Sequence, residues 1–333
     1  MKLKESEEMV VDGGGNPDLT VVVFNYNYAE FLPDALDGLK HQDMRPDITL
    51  VSDDDSPLNS ARDLERIVAG YPGVILERNR TNLGAVKHFR KRVAEVSTKY
   101  YMVHSADDFL VDPMFFRDAT RLLEERPDLV AVFGYAGDRQ TDGRVVLPRN
   151  PIHERRLTVF EGSELRVQLA YENVVPAVCV VIRTSVHQSL PPFPIANPHV
   201  HDWQQWYLMT YLGNFARLER VVCHRYIHGS NLSERYELAG DASVHVDAGY
   251  QQLLGRPEIQ DEDMRHLAIG RRRHRIRTSP AKRLPLVMMK ELWREGGLDA
   301  AKESLHERVI RRFTLRRKRL RSDFLSKYAG TTW

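Results

Sequence analysis

The sequence predicts an α/β protein: a mostly parallel sheet flanked by helices, followed by a basic, mostly helical C-terminal extension. Three observations predict this. Short β-branched or apolar runs alternate with helix-like stretches from residue 19 to about 136, the pattern of βαβ units with right-handed crossovers. Clusters of Asp and Asn stand directly after several of those runs, where parallel sheets bind ligands beyond the strand carboxyl ends. Charge is also segregated, with −7 over residues 1–240 and +9 over residues 241–333, against +2 for the whole chain.

Each element has its own signal. Residues 1–18 are polar and contain Gly13-Gly14-Gly15, which predicts a loose N-terminal tail. Leu19–Phe24 is a continuous run suited to a buried parallel strand. Helix-like Phe31–Gln42 follows, then strand Ile48–Ser52, helix Ala61–Ala69, strand Val74–Glu77, helix Ala85–Ser97 and strand Tyr100–His104. Pro113–Glu125 reads as a helix and Leu129–Tyr135 as a fifth strand. The pattern then changes. Arg139–Pro151 has hairpin character, with Thr141-Asp142-Gly143 as its turn. Ser163–Tyr171 is helical, Val174–Ile182 reads as a strand, Asp202–Leu212 as a helix and Phe215–Val222 as a strand. From Asp241 onward the reading is mostly helical, and no internal repeat is present.

Composition narrows the function classes. The chain has 333 residues, 42% hydrophobic and 28% charged, an ordinary globular balance. No apolar run reaches the roughly 18–20 residues of a membrane span, and no basic-then-apolar leader opens the chain, so a bacterial-type cytoplasm is expected. Cys179 and Cys223 stand far apart in apolar runs, which predicts buried thiols and not a disulfide framework.

The chemistry is expected at the strand ends: Asn25-Tyr26-Asn27-Tyr28, Asp53-Asp54-Asp55-Ser56 and Ser105-Ala106-Asp107-Asp108. Carboxylates crowded together repel each other, so they commonly hold a hard cation or sugar hydroxyls. Helix capping is the plain alternative for any one cluster, but it accounts poorly for three at corresponding positions.

These clusters, with others in order, resemble the inverting family 2 glycosyltransferases. Val21–Asn27 is similar to the family's V-V-I-P-T-Y-N strand, and Ile48–Ser56 to I-V-V-D-D-G-S. Asn82-Leu83-Gly84 is similar to N-x-G, and Tyr101–Asp108 to the segment ending D-A-D-D. His201-Asp202-Trp203-Gln204-Gln205-Trp206 resembles E-D-W-x-L-W, and His228–Ser233 resembles the later H-x-x-s-x-S element. The resemblance covers residues 19–235 and implies the A-type, Rossmann-like fold. It divides the chain into a tail (1–18), a nucleotide-sugar-binding half (19–136), an acceptor half of the same catalytic domain (137–240) and the basic region (241–333).

The resemblance implies a metal-dependent, hexosyltransferase-type enzyme that moves a sugar from a UDP- or dTDP-linked donor to an acceptor with inversion, in glycan, glycolipid or natural-product assembly. Asn25, Tyr26, Asn27, Asp53, Asp54, Asn82, Gly84 and Asp107 would form the donor site, with Asp53 accepting from a uracil or thymine N3–H. Asp107, Asp108 and His228 would hold Mg2+ or Mn2+. Asp202 would be the general base, opposite the leaving group.

Three departures from the pattern matter. Asp55 replaces a glycine, which predicts a left-handed conformation there. Ser105 stands where many members carry the first Asp of D-x-D. His201 replaces a glutamate and would retune the acceptor side or bring a cation beside the base.

Alternatives stay open at this level. A metal-dependent phosphohydrolase or nucleotidyltransferase would use the same aspartates, and a non-catalytic nucleotide-sugar-binding protein would lack the work of Asp202. His199, His201 and Asp202, joined by His224 and His228, have zinc-ligand chemistry. Trp203 and Trp206 at i, i+3 read as core-facing, with stacking on a sugar ring the alternative. Lys87 and Arg90 read either as phosphate contacts or as a solvated helix face. The basic runs Arg271–Arg277 and Arg316–Arg321 are either solvated surface or an attraction to an anionic membrane at its inner face. They lack the interleaved aromatics of a nucleic-acid module.

Overall fold

The computed structural model describes residues 18–147, 157–191, 200–229, 231 and 242–278. The expected N-terminal tail, apart from Asp18, lies outside them, as does the Arg316–Arg321 run. The strands are β1 (Leu19–Asn25), β2 (Ile48–Asp53), β3 (Val74–Arg78), β4 (Tyr100–Ser105), β5 (Asp108–Leu110), β6 (Leu129–Gln140), β7 (Val145–Val146), β8 (Leu157–Phe160), β9 (Val180–Arg183) and β10 (Asn214–Ile227). The described helices are α1 (Leu32–Lys40), α2 (Leu58–Val68), α3 (Ala85–Glu95), α4 (Phe115–Glu125), α5 (Gly162–Leu169), α6 (Thr184–Gln188), α7 (His201–Met209), α8 (Ala242–Leu254) and α9 (Asp261–Thr278).

One sheet runs in the order β3-β2-β1-β4-β9-β6-β10-β5. The half formed by β3, β2, β1 and β4 is parallel throughout, as the alternating pattern requires. β9 is inserted antiparallel between β4 and β6. β6 and β10 run parallel, and β5 and β8 add antiparallel to β10. The Thr141-Asp142-Gly143 turn joins β6 to β7, with Gly143 at φ +84°.

The expected Val174–Ile182 strand shortens to Val180–Arg183. Pro176 lacks the N–H that a sheet interior needs, which keeps the first half of this apolar run out of the ladder. β5, β8 and α6 were not expected, because runs of three to five residues carry too little periodicity to register.

Apolar side chains cover both sheet faces. α1 and α4 supply Leu32, Leu36, Phe115 and Phe116 to one core. The other core holds Val93 of α3, Leu165 of α5, and Trp203, Trp206 and Tyr207 of α7. Trp203 and Trp206 are 5% and 3% exposed, and the Trp203 indole donates to Leu169 O at 2.7 Å. The expectation of core-facing tryptophans holds, and stacking on a sugar is overturned by burial. Cys179 and Cys223 are buried thiols, as expected, and burial pushes Cys179 up to about 12.

The chain forms two compact units, Met1–Arg271 and Arg272–Trp333. α8 and the first part of α9 thus belong to the same unit as the sheet. Tyr250 of α8 donates to Ala170 O at 2.9 Å, and Arg166 of α5 pairs with Asp263 of α9 at 2.9 Å. Gly270 lies so close to the α5 end that a Cβ there would sit 1.7 Å from Ala170 O.

Candidate functional site

The polar clusters meet along the carboxyl edge of the parallel half-sheet, where β1 and β2 end in register at Asn25 and Asp53 and β4 ends at Ser105, opposite Phe24. None of α1, α2, α3, α4 or α7 takes a side-chain N-cap from these clusters. Local capping therefore does not account for them. Their bonds combine local turns, Ser56 to Asp53 and Ser105 to Asp107, with tertiary partners 25 or more residues away.

Asp53 is fully buried and saturated. Oδ1 accepts from Asn25 Nδ2 at 2.7 Å and from the Ser56 hydroxyl. Oδ2 accepts from the Ser56 N–H at 3.0 Å and Arg78 Nε at 2.9 Å. Four donors match the roughly four lone-pair sites of a carboxylate. Burial works to raise the pKa of Asp53, but the bonds from Ser56, Arg78 and Asn25 outweigh it and hold the group below its usual range. Asn25 Oδ1 is buried and accepts no hydrogen bond among the described residues.

The turn around this carboxylate uses two left-handed residues, Asn27 at φ 60° and Asp55 at φ 63°. Asp55 adopts the conformation expected of it. The Asn27 N–H donates to Ser56 Oγ at 2.8 Å, and Tyr26 is 47% exposed, its ring available on the edge.

Asp54 ties β2 to the start of α3. It accepts from Asn79 Nδ2 at 2.8 Å, the Leu83 N–H at 2.9 Å and the Gly84 N–H at 2.9 Å. Asn82 Oδ1 takes the same Gly84 N–H at 3.0 Å, and Gly84 sits at φ +76°, which favours glycine. The N-x-G step thus fixes the helix entry by folding around Asp54. Lys91 reaches back to Asn79 Oδ1 at 2.8 Å, so this helix face is a structural tether. Asp54 Oδ1 carries two donors and Oδ2 one.

Asp107 lies in the turn between β4 and β5. Ser105 does not vacate the place of the absent aspartate, because its hydroxyl donates to Asp107 Oδ1. Asp107 Oδ2 receives Asn231 Nδ2 at 3.1 Å and lies 3.1 Å from His228 Nε2. Pairing of β5 with the end of β10, Asp108 opposite Arg225, brings His228 here across 121 residues. The His228 ring packs among Tyr28, Phe31 and Tyr226, at centroid distances of 5.3, 4.5 and 5.4 Å. Asp108 is buried, with Oδ1 taking the Tyr226 N–H at 3.3 Å. Burial, followed by the charge of Asp107, pushes Asp108 well above the usual carboxylate range.

Asp107 and His228 suit a divalent cation of oxygen and nitrogen preference. Among the described residues no group of three or more His, Cys, Asp or Glu is assembled to hold a metal. The zinc alternative finds no such cluster either, and His199 lies outside the described residues.

Asp202 occupies the first turn of α7, on the sheet face opposite α1. Burial raises its pKa, against the Trp203 N–H and the Asn173 amide, which favour the charged form. Its neighbour His201 is buried and packs edge-on to Phe89 at 5.1 Å. Burial, and then Arg90, lower His201 to about 4, so it is neutral near pH 7 and supplies no cation beside Asp202. That corrects one of the two roles expected of it. One turn along α7, a cavity of about 480 Å³ is lined by Phe89, Arg90, Val93, His187, Leu190 and Gln205.

Sequence reading missed Arg78, Asn173 and Asn231. Arg78 and Asn173 contact recognised residues from a distance in the chain that no local pattern encodes, whereas Asn231 stands inside the His228–Ser233 motif, where it accepts the His228 N–H at 2.9 Å and donates to Asp107. For Arg78 a signal existed, a charged residue at a strand carboxyl end.

Comparison with known proteins places this arrangement. Over 117 residues the chain is 26% identical to uncharacterized proteins of Mycobacterium tuberculosis and Mycobacterium bovis. That match covers 34% of this chain and only about a third, 34%, of those relatives. Among solved structures, TarS 1-349 of S. aureus in complex with UDP-GlcNAc superposes with a TM-score of 0.59 at 16% identity, covering 82% of this chain and 79% of that one. The mannosyltransferase PcManGT from Pyrobaculum calidifontis, in complex with GDP-Man and Mn2+, gives 0.57 at 14% identity, covering 92% and 84%. The fold is thus that of the A-type glycosyltransferases. The model of glycosyl transferase family 2 matches residues 20–190, just over half of the sequence, and the chain belongs to that family.

Proposed function

We propose that this glycosyltransferase moves a sugar from a UDP- or dTDP-linked donor to an acceptor nucleophile with inversion. The observation that carries the reading is the meeting of the three polar clusters at one sheet edge, with a separate carboxylate, Asp202, opening a helix on the opposite face from α1. Inversion needs the base and the leaving group on opposite sides of the anomeric carbon, and this division suits it.

Asn25, Tyr26, Asn27, Asp53, Asp54, Asn82 and Gly84 frame the nucleotide. Reading a pyrimidine N3–H through Asp53 requires one of its four donors to give way. Asp54 Oδ2, with one donor, has a site to spare. Asp107 and His228, with Asp108 beside them, would hold Mg2+ or Mn2+. Such a cation supplies Lewis-acid neutralisation of the departing diphosphate. Ser105 and Asn231 hold the Asp107 carboxylate in place. Asp202 takes the acceptor proton as the new bond forms, and its raised pKa makes it a stronger base than an exposed aspartate. Residues 19–136 serve the donor, residues 137–240 the acceptor, and the basic region from 241 onward favours an anionic surface. Among the described residues no helix is long and apolar enough to cross a membrane.

The test is a thermal-shift panel of UDP, dTDP, GDP and their sugars, with and without Mn2+. A ligand at 100 times its Kd stabilises by about 2.7 kcal/mol. Stabilisation by a uridine or thymidine diphosphate sugar, followed by diphosphate release, supports the reading. No response to any nucleotide would refute it.

A further inference from the structure

We propose that Asn173 is a positioning residue for Asp202, clamping its carboxylate from outside α7. The inference rests on the reading of Asp202 as general base. Asn173 stands in the segment between α5 and β9, 29 residues from its partner. Its amide makes two bonds of opposite polarity. Oδ1 accepts the Val175 N–H at 3.3 Å, and Nδ2 donates to Asp202 Oδ2 at 3.1 Å. A flipped amide would set oxygen against carboxylate and NH2 against N–H, so one orientation alone satisfies both. Pro176 keeps this stretch out of the sheet, which leaves Asn173 in an exposed irregular segment beside the start of α7 instead of in a ladder.

The surroundings leave this bond an individual role. On α7 itself His201 is neutral near pH 7. α5 and α8 pack against α7 and carry Glu164, Arg166, His245 and Asp247. Of these, Arg166 is paired with Asp263 at 2.9 Å and Asp247 with Arg271 at 2.7 Å. From β10, Arg225 favours the ionised form of Asp202 at longer range. Asn173 is the one side chain whose hydrogen bond to Asp202 is seen among the described residues. It restrains rotation of the carboxylate and, together with the Trp203 N–H, favours its charged form against burial.

The experiment follows the Asp202 carboxyl by NMR in protein labelled with 13C-aspartate, the signal assigned by its loss in Asp202→Asn. Asn173→Ala should raise the Asp202 titration midpoint by about half to one pH unit. Asn173→Asp should raise it further, because two carboxylates would then share the site. In parallel, diphosphate release with water as acceptor should show an acid limb displaced by the same amount. Turnover on its plateau should fall by about 3–10-fold, with the donor KM unchanged. An unmoved Asp202 midpoint in both Asn173 variants overturns the proposal. The failure of the base reading is separate: Asp202→Asn would then turn over normally while the Asp202 midpoint still responded to Asn173→Ala.

Discussion

Replacing Asp53 separates a structural carboxylate from a ligand-reading one. In Asp53→Ala three N–H donors, from Asn25, Ser56 and Arg78, lose their acceptor, while the Ser56 hydroxyl can turn elsewhere. A donor left without a partner costs about 1–3 kcal/mol when buried. Arg78 is 30% exposed, so water replaces part of its loss. The sum is about 3–5 kcal/mol, a large share of the 5–15 kcal/mol typical of a folded domain. At the specific entropy of unfolding for a chain this long, each kcal/mol moves Tm by about 1.5–2 °C, so Tm should drop by about 5–10 °C. Asp53→Asn should be milder, about 1–2 kcal/mol. Its NH2 can donate to Ser56 Oγ and, after a flip of the Asn25 amide, to the Asn25 oxygen that now accepts nothing. Because the Asp53 pKa is lowered in the fold, this stability is present above the unfolded carboxylate pKa and is lost as pH falls through the folded value. The assay is thermal unfolding at pH 7 alongside UDP calorimetry. An Asp53→Ala protein that melts with wild type yet fails to bind UDP would refute the structural argument.

Three further predictions concern other parts of the molecule. Asp107→Ala should abolish Mn2+-enhanced nucleotide binding and also lower Tm by a few degrees, since Ser105, Asn231 and His228 lose their partner; wild-type enhancement should weaken as pH falls, since Asp108 binds its proton tightly, and calorimetry with and without EDTA at several pH values checks both. Gly270→Ala should destabilise the protein by more than 3 kcal/mol, because its Cβ would meet the Ala170 carbonyl oxygen and α9 would have to shift; denaturant unfolding measures it. Changing Arg316, Arg317, Lys318 and Arg319 together to Gln should reduce co-sedimentation with anionic vesicles at low salt, and equal binding by both proteins would assign that run to solvated surface.

The parallel half of the fold was legible because its central strands, β1 and β4, are buried on both faces and Leu19–Phe24 reads as an almost uninterrupted apolar run, while the edge strand β3 is short and partly exposed. The β5 strand was not legible, and β5 is what turns Asp107 toward His228. Three residues at a sheet edge leave no periodic trace. Val174–Val178 misled for the opposite reason: its composition is that of a strand, and Pro176 forbids it. At the site, residue types were visible but their bonding was not. Asp53 and Asp54 look equivalent in sequence, yet one is filled by four donors and the other holds the α3 entry loop. Ser105 reads as a missing ligand and acts as a hydrogen-bond donor to the aspartate that remains. His201 reads either as a retuned acceptor contact or as a cation, and it is neutral near pH 7 because burial and then the charge of Arg90 lower it, with Phe89 packed edge-on to its ring.

The central claim, that Asp202 removes the acceptor proton while the strand-end cluster holds the donor, is tested most directly by Asp202→Asn. Turnover and nucleotide-sugar Kd are measured on the same preparation. The account predicts a kcat lower by about 10²–10⁴-fold with the donor Kd unchanged. In wild type, the acid limb of kcat should lie above the range of an ordinary aspartate, because the raised pKa means the base is lost at a higher pH as acid is added. Turnover near wild type in Asp202→Asn would contradict the account, and a collapse of donor affinity would move Asp202 into the nucleotide site.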